Sequence, residues 1–538
     1  MSLNKSINLQ GGLVRQTIKN IQLGELELHQ RDVLYSQDPT ELFHHLCNGK
    51  DDTLLLESSE IESKQDLKSL LLVDAAMRIE CRGHTVVLTA NSNNGQALLR
   101  RVIENLNPDF VTSHSINQLH VEFPEPDINL DEDSRLRQPS SFDMLRIIKH
   151  SFDCQQHDRM ALFIGGLFAY DMVANFEPLG NAEENSQCPD YVFYVAETLI
   201  VIDHQSQHAH LYGTLFDATD SNRQEVTTRL DDIQQQMQSV VAAPKATILH
   251  TCDATPSMSD EAFCDIVRDM KQYVIKGDIF QVVPSRYFSL PCPSPLAAYK
   301  QLKKSNPSPY MFYMQDELFT LFGASPESAL KYDQQSDQVE IYPIAGTRRR
   351  GKNADGSINK DLDSRIELEL RSDKKENAEH MMLVDLARND VARISKAGTR
   401  HVADLLKVDR YSHVMHLVSR VVGQLRPDLD ALHAYQASMN MGTLTGAPKI
   451  RAMQLIRDVE KQRRGSYGGA VGYMNGHGDL DTCIVIRSAY VEQGVAKVQA
   501  GAGVVFDSDP QSEADETRGK AQAVISAIQH AHTEVSNG

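Results

Sequence analysis

The sequence predicts an α+β fold built on large antiparallel sheets. Runs rich in branched and aromatic residues recur along the chain, helical stretches fall between them without a β-α-β rhythm, and no segment repeats at a fixed period. At 538 residues the chain is long enough to bury a large core.

Residues 1–24 read as a polar leader. A short helix is expected from Pro39 to Leu46, then a buried strand at Thr53–Leu56 ending in Glu57 and Ser58. Val86–Leu88, Ile164–Tyr170 and Tyr191–Ile202 carry further strand-like runs, and Asp220–Val240 is helical and Gln-rich. Composition changes between Ala242 and Ser257, which divides the chain into an N-terminal part (25–256), a second part (257–530) and a short tail (531–538). The second part opens on a helix capped by Ser259. Phe263, Ile266, Val267, Met270, Tyr273 and Val274 follow at helical spacing, and Gly277 ends it. A strand at Ile279–Val283 follows, and Pro448 starts a helix through Arg457. Near the C-terminus, strands are expected at Thr482–Val491 and Val495–Phe506, with Arg487 ending a buried run. A long helix then opens at Asp509–Pro510, with acidic residues at its positive end.

The net charge is −19, from 54 basic and 73 acidic residues. So acidic a chain lacks the long-range attraction that nucleic-acid binders use, and an anionic substrate needs its positive charge supplied locally. The 8 cysteines form no C-x-x-C pair, the N-terminus has no apolar signal region, and no run approaches a membrane span. These features predict a soluble cytoplasmic protein that binds neither nucleic acid nor membrane. Gly442–Lys449 lacks the phosphate-loop spacing, and Gly501–Gly503 lacks the third glycine and the helix of a dinucleotide fingerprint.

Two helical E-x-x-E pairs stand out. Glu513 and Glu516 lie one turn apart after Pro510, and Glu376 and Glu379 lie one turn apart in the helix starting near Lys374. Like charges at this spacing repel unless a cation lies between them, and oxygen-only ligands suit magnesium. Surface pairs of this kind are also common. Gly501, Ala502 and Gly503 are expected to leave backbone N–H groups open to a ligand. Pro343–Arg348 and Gly323–Glu327 read as turns that present N–H groups, or as plain β-turns. His416 lies in an apolar run, where a satisfied core histidine is the commoner outcome.

The segments PIAGTRRRG, DLDSRIELEL, HMMLVDLARND, VDRYSHVMHLVSRVVG, MGTLTGAPKIRAMQLI, RRGSYGGAVGY, DTCIVIRS, VQAGAGVVFDS and QSEADETR follow one another in order. Together they closely resemble the chorismate-utilising enzymes, and within them the large subunits of the anthranilate-forming branch. The likeness covers nearly the whole chain after the leader and is densest from Ser259 to Lys520.

This resemblance implies two large antiparallel β-sheets packed as a sandwich with helices outside. It implies a lyase reaction in tryptophan biosynthesis, in which chorismate and ammonia give anthranilate and pyruvate. By motif, Glu379 and Glu516 match Mg2+ ligands, supported by Glu376 and Glu513. Gly346, Thr347, Tyr467, Arg487, Gly501, Ala502, Gly503 and Lys520 match substrate positions. Glu327 matches the general acid, and His416 and Thr443 match positions tied to the later step. Glu57 and Ser58, with Pro309, Tyr310 and Met311, match a feedback site for L-tryptophan. No cysteine sits in a G-x-C-x-G elbow, so a separate glutamine amidotransferase subunit is expected to supply ammonia. Relatives that add water carry a lysine where this chain has Gln281, and aminodeoxychorismate synthases carry one at Ala345; both positions favour the anthranilate branch. Arg349 stands where the family usually has proline. A tryptophan sensor without catalysis is the rival of another class, and the intact acid, metal and substrate positions weigh against it.

Overall fold

The structure, a computed structural model, describes residues 23–58, 67–183, 187–240, 246–249, 251–353, 355–411 and 414–533. The leader up to residue 22 and the tail from 534 lie outside the described residues.

Two antiparallel sheets form the body, and two long strands, Lys68–Arg82 and Tyr191–Asp203, belong to both. From these strands the first sheet runs one way through His208–Leu215 to Glu27–Val33. The other way it runs through Thr53–Glu57, Tyr310–Gln315, Thr320–Ser325, Ser488–Glu492 and Val495–Gly501 to Ser285–Pro291. The second sheet runs one way through Thr85–Ala90 and Gln118–Glu122 to Val111–His114. The other way it runs through Phe163–Phe168, Ala470–Asn475, Leu480–Ile484, Ser328–Asp333 and Gln338–Ile341 to Val414–Gln424, which also pairs with Ile344–Arg349 and His401–Arg410. Register shifts between Leu72 and Met77 let the shared strands leave one sheet for the other, as bulges do at the corners of packed sheets. Strands on either side of residue 256 pair directly, Thr53–Glu57 with Tyr310–Gln315 and Phe163–Phe168 with Ala470–Asn475, so both sequence parts contribute to both sheets.

Strand alternation sorts the side chains into layers. Leu70 and Leu72 turn inward, where Leu54, Phe163, Phe312, Val471 and Val485 fill the space between the sheets. Leu71 and Val73 turn outward against helices Pro39–Cys47, Asp220–Gln236, Pro295–Ser305 and Pro510–His532, which contribute Leu42, Leu230, Leu302 and Val524. The outer face of the second sheet is covered by Asn93–Asn105, Phe142–His150, Lys374–Ile394 and Ala431–Ser438 through Leu98, Leu145, Val391 and Leu432. The expected sandwich with outer helices is therefore what forms, with the two sheets continuous through their shared strands.

Local chemistry sets the helix ends. Ser259 Oγ accepts from Ala262 N at 3.2 Å, and Gly277 ends that helix at a φ of 79°. Asp509 accepts from Ser512 N at 2.9 Å and Pro510 takes the first helical position.

Three strand expectations are corrected. Thr482–Val491 is not one strand: Leu480–Ile484 lies in the second sheet and Ser488–Glu492 in the first, and Arg487 sits in the crossover at a φ of 51°. The strand from Val495 ends at Gly501, not Phe506: beyond it Val504 makes only an isolated bridge to Val282, and the chain turns where Ser508 Oγ accepts from Val505 N at 3.0 Å. Of Ile279–Val283 only Gln281–Val282 pairs, with Gly446–Ala447.

Candidate active site

The cleft is built where the chain crosses between the sheets. Thr320–Ser325 lies in the first sheet and Ser328–Asp333 in the second, so Pro326 and Glu327 form one crossover. Val485–Arg487 forms another. The two bond to each other: Ala324 N donates to Arg487 O at 3.0 Å and Ile484 N to Glu327 O at 3.0 Å. Carbonyl and amide groups that leave the ladders here are thus satisfied by the neighbouring crossover, and both side chains are held at the sheet junction.

Glu327 is buried. Burial pushes its carboxyl up to about 8, while the Thr443 hydroxyl, Lys520 and Arg487 pull the other way. Thr443 comes from the short Gly442–Thr445 helix, and its buried hydroxyl has no well-formed hydrogen bond among the described residues. Gly442 lets this turn sit on Lys374–Ile394, since a Cβ there would lie 2.2 Å from Leu386 Cδ2.

Arg487 donates to Lys520 O at 2.7 Å. Burial lowers its pKa, opposed by Tyr467, Glu516 and Glu327. Lys520 bridges two expected elements: Nζ donates to Gly501 O at 3.0 Å and pairs with Glu516 at 2.6 Å. It supplies a cation beside the Glu513–Glu516 pair, of which Glu513 is buried and Glu516 partly exposed. The local positive charge demanded by an acidic chain is present.

His416 projects from Val414–Gln424, between Ile344–Arg349 and His401–Arg410, with Nδ1 2.9 Å from Thr347 Oγ1 and the Tyr411 ring edge-on at 5.1 Å. Burial and the charge of Arg487 push its pKa down to about 4, so it is neutral at pH 7. Next to Thr347, Gly346 forms a bulge at a φ of 76°, and a Cβ there would come within 3.2 Å of Glu376 Oε2. Glu376 accepts from Arg348 Nη1 at 2.8 Å, and Glu379, one turn on, is partly buried.

The glycine-rich edge differs in part from expectation. Ala502 N is not open, because it donates to Pro284 O at 3.1 Å. Gly503 instead makes room for Gln281, whose Nε2 would lie 2.7 Å from an added Cβ. Gln281 is buried, and its Oε1 has no hydrogen-bond partner among the described residues.

The carboxylates fit magnesium in donor type, being oxygen throughout. Among the described residues no three Asp, Glu, His or Cys side chains converge on one point, so an ion here needs oxygens from substrate and water to complete its shell. Glu376 and Glu516 meanwhile pair with Arg348 and Lys520.

The residues matched to tryptophan come together across one strand pair but divide between its faces. Glu57 lies opposite Met311. Its carboxylate turns to the helices, accepting from Tyr299 Oη at 2.6 Å and pairing with Lys303. Tyr310 turns to the other face, its hydroxyl 3.3 Å from Asp481, and alternation places Ser58 opposite in direction to Glu57. Pro309 and Tyr310 line a cavity of about 290 Å3 with Pro326 and Ser328, the neighbours of Glu327.

Sequence reading missed Tyr411 and the pairing of Arg348 with Glu376. Neither has a local signal, since each depends on a partner brought in by sheet register. No described helix is long and apolar enough to cross a membrane.

Comparison with known proteins places this geometry. Residues 114–526 match the chorismate binding enzyme family. The chain is 69% identical over 529 residues to anthranilate synthase component 1 of Vibrio parahaemolyticus, covering 98% of each. It is 59% identical over 510 residues to that of Escherichia coli, covering 94% of this chain and 98% of the relative. Among solved structures it is similar to anthranilate synthase component I from Streptococcus pneumoniae, with a TM-score of 0.64 and 29% identity over 87% of this chain and 94% of that one. The menaquinone-specific isochorismate synthase from Escherichia coli shares the fold at a TM-score of 0.66 and 17% identity, covering 94% and 95%.

Proposed function

The chain belongs to the chorismate binding enzyme family, and from that premise we propose that it is the large subunit of an anthranilate synthase, a lyase of tryptophan biosynthesis. The observation that carries this reading is Glu327: a buried carboxyl, protonated up to about pH 8, beside Thr443 and within the fields of Arg487 and Lys520.

Chorismate is a dianion, and Arg487, Lys520 and the N–H groups around Gly346 and Gly503 replace the water lost from its carboxylates. Ammonia adds at ring C2 as hydroxide leaves C4, and Glu327 donates the proton that lets it leave as water. The orphan Gln281 oxygen suits an N–H of ammonia and is no base for water, which favours amination. Loss of the enolpyruvyl group as pyruvate then makes the ring aromatic, with neutral His416, held by Thr347, and Thr443 at that end of the cleft. Mg2+ would be held by Glu379 and Glu516, with Glu376 and Glu513 behind them, and when bound would neutralise a substrate carboxylate. The protein acts in the cytoplasm.

Ammonium salts are expected to support turnover by this chain alone, whereas glutamine requires an added amidotransferase subunit, because no cysteine here lies in a nucleophile elbow. Glutamine-dependent product from the pure chain would contradict this.

The cavity shared by Pro309, Tyr310 and the neighbours of Glu327 supports feedback by L-tryptophan. Ser58→Phe is expected to leave the rate without tryptophan near normal and to raise the half-inhibiting concentration about tenfold or more. Initial rates against tryptophan, beside calorimetric binding, check it; a parent-like response removes Ser58 from the inhibitor site.

A further inference from the structure

A buried ion pair beneath the cleft is used by none of these roles. Glu460, the last residue of the Lys449–Glu460 helix, and Arg464 are 9% and 6% exposed. Glu460 Oε1 accepts from Arg464 Nη2 at 2.6 Å, Ser285 N at 2.7 Å and Ser285 Oγ at 2.8 Å, and Oε2 accepts from Arg464 Nε at 2.9 Å. Arg464 also donates to Leu444 O at 2.8 Å and Val283 O at 2.7 Å. Its guanidinium lies 4.6 Å from the Tyr170 ring centroid and 5.6 Å from that of Tyr467.

The partners other than Tyr170 adjoin the site. Leu444 follows Thr443, Ser285 pairs with Gly501, and Val283 lies just beyond Gln281. These segments come from separate stretches of sequence, and the planar fork is what they share. Burying a charge pair costs more in desolvation than an apolar pair of the same shape, so its presence argues for geometry rather than stability.

We infer that the Glu460–Arg464 pair is a positioning device, holding the Thr443 turn, the Tyr467 ring and the Gly501 edge in one frame around the substrate. The inference rests on the function proposed above, because its first readout is that reaction.

Arg464→Lys keeps the charge and loses the fork; Glu460→Gln keeps the shape and loses the charge. Each is expected to lower kcat about 100-fold, with KM for chorismate changed less than about threefold, as misplacement of reacting groups does. The double variant should be no worse than the worse single, since the residues act as a unit. Ser285→Ala, which removes one bond to Glu460 and leaves both charges, should fold and lower kcat about 3- to 10-fold. Rates are taken per folded molecule beside thermal midpoints. A parent-like kcat with a lowered midpoint in Arg464→Lys, or with Ser285→Ala if the charge variants do not fold, would overturn the inference. If the parent makes no anthranilate, the functional reading fails instead. The same comparison is then made on whichever product the parent forms from chorismate: a rate lowered about 100-fold in Arg464→Lys keeps the positioning role, and a parent-like rate removes it.

Discussion

Glu327→Gln is expected to lower kcat by about 100- to 10,000-fold while chorismate still binds, the range for a lost general acid. The isosteric amide fills the same space and cannot give up a proton. Glu327 must be protonated to act, and its carboxyl titrates near 8. The parent rate should therefore hold below that pH and fall as pH rises through it, and the variant should lack this limb. Stability should also fall with rising pH, over a lower window. The unfolded side chain ionises near 4.5 and the folded one near 8, so across that window the unfolded chain releases a proton that the folded chain keeps, and stability falls as pH rises. Glutamine removes that penalty, and the thermal midpoint at neutral pH should rise. A variant that keeps its rate, or a pH limb that survives in it, would assign the acid elsewhere.

Removing magnesium with a chelator is expected to abolish turnover, and Glu516→Ala should do the same at ordinary Mg2+. Neutralising charge on a dianionic substrate is worth several kcal/mol, about 100-fold or more in rate. The fold should survive, because Glu516 is partly exposed and Lys520 keeps its bond to Gly501 O. Calorimetric Mg2+ binding in the presence of chorismate supplies a readout beside activity. If Glu516→Ala binds the ion and turns over like the parent at limiting Mg2+, the ligand role passes to Glu513.

The parts legible in sequence were those with local causes. The Ser259 cap, the Gly277 stop and Pro510 at the start of the last long helix depend on neighbours a few residues away, and each formed as expected. The crossovers were not legible. Thr482–Val491 reads as one apolar run, and nothing local marks Arg487 as the point where the chain changes sheets; the left-handed turn is imposed by pairing partners far away. Val504 and Val505 extend the apolar pattern past Gly501, yet Ser508 closes a turn on Val505 through both its hydroxyl and its backbone N–H. The carboxylate pairs could be seen as helical pairs, but not the cations beside them, because Arg348 reaches Glu376 from another element. The division of the inhibitor residues between two faces follows from strand alternation once Glu57 is known to face Met311. Glu327 is the extreme case: GASPE reads as a turn, and its raised pKa comes from burial by segments distant in sequence, against the opposing pull of Thr443, Lys520 and Arg487.

The most direct test is mass spectrometry of the products from the purified chain with chorismate, Mg2+ and 15N-ammonium. The account predicts 15N-labelled anthranilate and pyruvate in equal amounts. Isochorismate, or a labelled amino product that keeps the enolpyruvyl group with no pyruvate released, would contradict it.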